Sequence, residues 1–227
     1  MATDFSCLST STQGKKDFEE GWLRPRVLQA KAGECTVGLL GCADGLPRHL
    51  ENNKAYGYTP KLSVIVDNDP KVIASYSSAD TEGTHVELGD FKDVTLRLIS
   101  EGRKFGFVDF DGTQPIGPYT LDFIDQLSAG GVAQLLIVAP SRVHRAHVTF
   151  WLEIAEILDL PFGLHRKFVR KKDMPSWIKP GSNYQAKILK RPGPWDTLEA
   201  FARERATKVE RIGYNGLSPM MAMLITY

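Results

Sequence analysis

The chain has 227 residues, of which 42% are hydrophobic, 24% charged and 10% aromatic, and its net charge is +1. That length suits one domain able to bury a substantial core without disulfide or metal staples. Cys7, Cys35 and Cys42 are an odd number without ligand spacing, and no apolar run nears the ~20 residues that cross a bilayer; a disulfide framework, a zinc site and a membrane span are therefore not expected, and a reducing compartment such as the cytoplasm is.

Met1 to Thr12 is polar, Ser/Thr-rich and without a hydrophobic signal core, and reads as a flexible tail over 1–12 ahead of a single domain over 13–227. Asp17 to Ala30 has mixed helical spacing (Phe18, Trp22, Val27, Leu28) broken by Pro25, which predicts one helix or two short ones on a sheet. Apolar runs at Thr36–Leu40, Leu62–Val66, His85–Leu88, Phe105–Phe110 and Val132–Ala139 are separated by enough chain for crossover helices, so they predict a parallel α/β sheet. Helix starts are marked by Pro47 after Gly45, by Asp69-Pro70 and by Pro118, and Gly130-Gly131 delivers the fifth strand. Beyond it come an amphipathic helix over Val143 to Leu160, strand-like Leu164–Arg170 and Tyr184–Leu189, the breaker Pro192-Gly193-Pro194, and a helix over Trp195 to Thr207. Val209–Tyr214 and Met220–Tyr227 then read as a terminal antiparallel hairpin.

The informative stretch is Thr36 to Asp67. A buried parallel strand that stops at Gly41-Cys42-Ala43-Asp44-Gly45 and opens a helix lets backbone approach a ligand, and Asp67 at the end of the next strand can hold a ribose diol. Asn68 and Asp69 add acceptors beside it. The third glycine of the dinucleotide pattern is missing, since position 46 is Leu, so a pyrophosphate does not suit this turn. Asp90, just past the third run, can accept an exocyclic purine amine.

Val37 to Gly45, followed by Leu50, resembles the first motif of class I S-adenosylmethionine-dependent methyltransferases. Val64 to Pro70 is similar to their second-strand motif, Leu88-Gly89-Asp90-Phe91 to the third, Phe107 to Asp111 to the fourth, and Leu127 to Gly131 to the turn before strand five. The likeness covers roughly Ala30 to Pro140, half the chain, and four motifs in order are more specific than any one. It implies a Rossmann-like, seven-stranded, mostly parallel sheet with helices on both faces and a C-terminal antiparallel hairpin. It also implies S-adenosyl-L-methionine as cofactor, with Gly41, Ala43 and Gly45 near its amino-acid part, Asp67 on the ribose, and Asp90 and Phe91 around adenine. The chain departs from the family at Leu39, where an acidic residue is usual, and at Ala43, where a glycine is; Asp44 is then the candidate for the ammonium contact.

Ligands in open α/β sheets bind at the carboxyl ends of the strands, which points the reaction at Asp109 to Pro115. Methyl transfer is an in-line displacement that needs alignment and a group to take the nucleophile's proton. Asp111 and Asp109 are the candidates, with Asp111 favoured because the earlier carboxylate more often anchors the strand end. The loop lacks the Asp/Asn-Pro-Pro-aromatic signature of adenine and cytosine amino-methyltransferases and the Pro-Cys nucleophile of the C5 enzymes. It is similar to the fourth motif of tRNA guanine-N2 dimethyltransferases, with Leu121-Asp122-Phe123 downstream.

Charge is uneven. Residues 141–192 hold eleven Lys/Arg against four acids, a balance of +7 that leaves −6 elsewhere. A basic insertion at about 141–194 suits a polyanion, so nucleic acid is the expected partner, with RNA favoured over DNA; the same run also suits a solvated face. Gln114, Arg170, Lys171, Lys172 and Trp177 are the candidate substrate contacts. Tyr184 and Trp195 are interleaved with the same cations and could stack bases, whereas Trp151 belongs to an apolar stripe. His144 and His147 share a helical face without acidic partners, and no metal site is expected. A small-molecule or protein methyltransferase, or a non-catalytic methyltransferase-like subunit, fits the same cofactor residues; an NAD-dependent oxidoreductase does not fit the glycine spacing.

Overall fold

A computed structural model describes residues 13–39, 45–58, 63–76, 84–112, 115–142, 147–161, 163–168, 185–190, 192–215 and 218–227. The expected tail over 1–12 lies outside them. Near-continuous apolar runs make strands buried on both faces, and the parallel strands β1 (Glu34–Leu39), β2 (Ser63–Asp67), β3 (Thr84–Leu88), β4 (Lys104–Asp111) and β5 (Gln134–Pro140) follow from them. Strands β8 (Lys208–Asn215) and β9 (Pro219–Thr226) form the C-terminal hairpin, and the sheet order is β3-β2-β1-β4-β5-β9-β8. Only the hairpin breaks the parallel pattern: β9 runs antiparallel between β5 and β8.

The crossover helices divide between two faces. One face packs α4 (Phe91–Ser100), α5 (Pro118–Ala129), α6 (Val148–Ile157) and α7 (Pro194–Arg203) through Val94, Leu98, Ile124, Leu127, Trp151 and Leu198 onto Val37, Val108, Leu135 and Ile137. The other carries α2 (Gly45–Ala55), α3 (Pro70–Tyr76) and the N-terminal segment, where α1 (Gln13–Asp17) runs into a π-helical turn over Phe18–Leu23. The expected helix over Asp17 to Ala30 is thus shorter and starts earlier. Pro25 lies just past its end: Arg24 keeps helical backbone, but proline has no N–H to donate to the next helical hydrogen bond.

Long-range contacts seat this segment. Phe18 stacks on Tyr214 at 4.5 Å and 7°, and Arg26 reaches Glu210 at 3.2 Å. Buried Gln134 closes the far end: its Oε1 accepts from the Leu28 backbone N–H at 2.6 Å, and its Nε2 donates to the Arg26 carbonyl at 3.0 Å.

Two expected strands beyond β5 are observed as β6 (Gly163–Phe168) and β7 (Gln185–Lys190), but among the described residues they pair only with each other, as a separate antiparallel ribbon between α6 and α7 in the chain. Helix α6 ends at Ile157 in a Schellman motif. The Leu160 N–H bonds the Ala155 carbonyl at 3.0 Å, the Asp159 N–H bonds Glu156 at 3.1 Å, and Asp159 takes a left-handed φ of 48°.

Candidate functional site

The sheet order reverses between β1 and β4. The helix after β1 goes to one face and the helix after β4 to the other, which opens a crevice at the carboxyl ends of these two strands. Gly45 opens α2 at this edge. Gly41, Ala43 and Asp44 of the preceding turn lie outside the described residues, as do Gln114, Arg170, Lys171, Lys172, Trp177, Tyr184 and His144.

On one side of the crevice, β2 ends on Asp67, which is 8% exposed. Its Oδ1 accepts from the Asp69 N–H at 2.8 Å, and its carbonyl accepts from the Gly89 N–H at 2.9 Å, so the turns after β2 and β3 are tied to one residue. Asn68 is exposed beside it, and Asp69 caps α3 through the Lys71 N–H at 2.8 Å. Register sets Leu88, 53% exposed, next to Asp67. Acceptors beside an exposed apolar side chain suit a sugar diol joined to a flat base. The sequence reading missed Leu88, although a leucine at the last position of an edge strand was a readable signal.

Two expected residues on this side also serve the helix that starts here. Asp90 is the N-cap of α4, its Oδ1 accepting from the Lys92 N–H at 2.9 Å and the Asp93 N–H at 3.2 Å. Phe91 turns its ring into the core at 4% exposure and stacks on Phe110 at 5.3 Å, which leaves only its backbone to meet an adenine. Trp195 is likewise a core residue at 6% exposure and offers no stacking surface; Trp151, at 1%, packs as its apolar stripe implied.

Strand β4 supplies the other side. Phe107, Asp109 and Asp111 alternate onto the face of the N-terminal segment, since Phe107 packs with Phe18 and Tyr56. Asp109 lies in register with Gly38 of β1, over which the buried His49 ring sits. Tyr56 meets Phe107 edge-on at 5.5 Å, and its phenol is pushed above its ordinary range, first by burial and then by the charges of Asp109 and Glu19. Arg24 donates to Asn52 Oδ1 at 3.1 Å nearby. Asp109 therefore belongs to a polar cluster beneath the crevice.

Asp111 sits two residues nearer the open edge, opposite Val138 of β5, and its Oδ2 accepts a charged hydrogen bond from Lys15 Nζ of α1. Lys15 was not anticipated, because the pair joins residues 96 positions apart. Asp67 and Asp111 flank β1 on either side, which at ordinary strand spacing separates their strands by about 10 Å. Among the described residues there is no group of three or more His, Cys, Asp or Glu able to hold a metal, and no helix is long and apolar enough to cross a membrane.

No family model matches the sequence, and no curated protein matches it. Solved structures do. Spermidine synthase from Thermotoga maritima aligns with a TM-score of 0.50 at 9% identity over 94% of this chain and 60% of its own. A SAM-dependent methyltransferase from Agrobacterium tumefaciens aligns at 0.49 and 12%, over 91% and 60%. The sugar N-methyltransferase KedS8 from Streptoalloteichus aligns at 0.44 and 14%, over 100% and 99%. The chain spans about three fifths of the length of the first two. Such identities speak to architecture alone: the spermidine synthase alignment and the observed strand order show a Rossmann-like, mostly parallel seven-stranded α/β fold.

Proposed function

We propose that this chain is an S-adenosylmethionine-dependent methyltransferase acting on nucleic acid, on RNA in preference to DNA. The observation that carries the reading is the flanking of the switch-point crevice by Asp67 on β2 and Asp111 on β4. Asp67 and Asn68 would hold the ribose of the cofactor, with Leu88 against the base. When bound, S-adenosylmethionine supplies an electrophilic methyl group. Asp111 would orient the acceptor and take its proton, while Asp109 holds the strand end through the polar cluster on β1 and α2.

The finer claim, nucleic acid, is supported by charge. The 141–192 segment carries +7, and phosphate backbones are contacted mainly by Lys and Arg.

Calorimetric titration with S-adenosylmethionine tests the coarser claim. Wild type and Asp111→Ala should bind it, and Asp67→Ala should bind far more weakly. Equal affinity in Asp67→Ala and wild type would remove the assignment. RNA binding that weakens steeply with salt supports the finer claim; salt-insensitive binding, or none, favours a small-molecule or protein acceptor.

A further inference from the structure

An ammonium already sits where the reaction would take place. Lys15 Nζ donates to Asp111 Oδ2 at the carboxyl end of β4, beside the crevice where the strand order reverses. Its side chain is 11% exposed, so this is no solvated surface pair. The backbone that presents it is fixed: a Cβ on Gly14 would come within 1.8 Å of the Asn215 carbonyl oxygen, and Phe18, one turn later, is stacked on Tyr214. Lys15 thus reaches a carboxylate at the crevice from a helix packed closely on β8.

Building on the methyltransferase reading, we propose that Lys15 is itself a methyl acceptor, modified in its own chain when no substrate displaces it from Asp111. The ammonium gives one proton to the Asp111 carboxylate, which later passes that proton to water. The amine lone pair then forms the N–CH3 bond as the S–CH3 bond of the sulfonium breaks and its electron pair returns to sulfur. The products are Nε-methyl-lysine, a neutral thioether and one released proton. Holding the amine beside the donor replaces a bimolecular encounter by an intramolecular one, which removes much of the entropic cost of a displacement. Lys16, exposed and next in sequence, has no such placement and serves as the internal control.

The test has two readouts on the full chain. In the absence of cofactor, an amine-acylating reagent should modify Lys15 at least about tenfold more slowly than Lys16, and Asp111→Asn should remove most of that protection. With methyl-labelled S-adenosylmethionine, peptide mapping should find the label on Lys15 about tenfold or more over Lys16, at a rate independent of protein concentration. Lys15→Arg, which keeps the ion pair, and Asp111→Asn should both lose the label at Lys15. Equal acylation of the two lysines overturns the proposal. So does cofactor binding by calorimetry with no methyl on Lys15, or labelling whose rate scales with protein concentration; in these cases the methyltransferase reading survives. Absence of cofactor binding removes both.

Discussion

The His49 ring lies so close over Gly38 that a Cβ on Gly38 would stand 2.3 Å from His49 Cε1 and 2.9 Å from Nδ1. Both residues are buried, and Gly38 is the β1 neighbour of Asp109, so the missing side chain makes room for an imidazole against the sheet beneath the crevice. Gly38→Ala should destabilise the protein by about 1–3 kcal/mol, the ordinary cost of overpacking. Denaturant midpoints check this, and the double variant with His49→Ala should recover part of the loss. An unchanged midpoint in Gly38→Ala would mean that the ring moves aside freely.

The N-terminal segment should be integral to the domain. Phe18 is 4% exposed between Trp22 and Tyr214, and Phe18→Ala should cost about 3–5 kcal/mol as an aromatic truncation in a core. Gly14→Ala cannot be relieved by a side-chain rotation, since the obstacle is the Asn215 backbone. It should open the peptide bonds around residues 13–24 to limited proteolysis, with the rest of the chain resistant. Equal resistance in wild type and variant would contradict the docking.

Much of the fold was readable because its signals are local. Five apolar runs with crossover-length spacers fix a parallel sheet, and Asp69-Pro70 caps α3 as the dipeptide implies. The terminal hairpin was readable as two strand-like runs punctuated by Gly216 and Pro219. The site was readable only in part, because its remaining contacts are long-range. Lys15 and Asp111 meet through the packing of α1 on the β8 end, which no spacing announces. Phe91 and Asp90 show a different limit: the motif places both at the crevice edge, but a helix starting there needs a cap and a core anchor, and each residue serves α4 first. For Trp195 the basic surroundings and ordinary packing both fit the sequence, and packing holds because Trp195, Leu198 and Ala202 form one apolar helical face.

Asp159 is the one described non-glycine residue with positive φ, exposed just past α6 and holding the Schellman turn at 48°. Left-handed backbone costs an L side chain about 1 kcal/mol or more, which glycine does not pay. Asp159→Gly should therefore raise stability by up to about 1 kcal/mol, and Asp159→Val should lower it. A midpoint lowered by the glycine variant would assign the aspartate side chain a contact that outweighs its backbone strain.

Three tyrosines should set the alkaline limit of the fold. Tyr56, Tyr58 and Tyr227 have their phenols pushed up from 10.0, in each case chiefly by burial. A raised folded-state value means that the stability these groups contribute is complete below pH 10 and falls above it, where the unfolded chain ionises and the folded one does not. For Tyr56, at 2% exposure, the fall approaches roughly 1.4 kcal/mol per pH unit. The hydroxyls of Tyr56 and Tyr58 have no hydrogen-bond partner among the described residues, so Phe at either position removes the titration without losing a bond. Tyr56→Phe should be as stable as wild type at neutral pH, or more so, and should lose less stability between pH 10 and pH 11. Tyrosinate absorbance should rise together with unfolding; ionisation of these residues in the native state near pH 10 would show that their hydroxyls reach water.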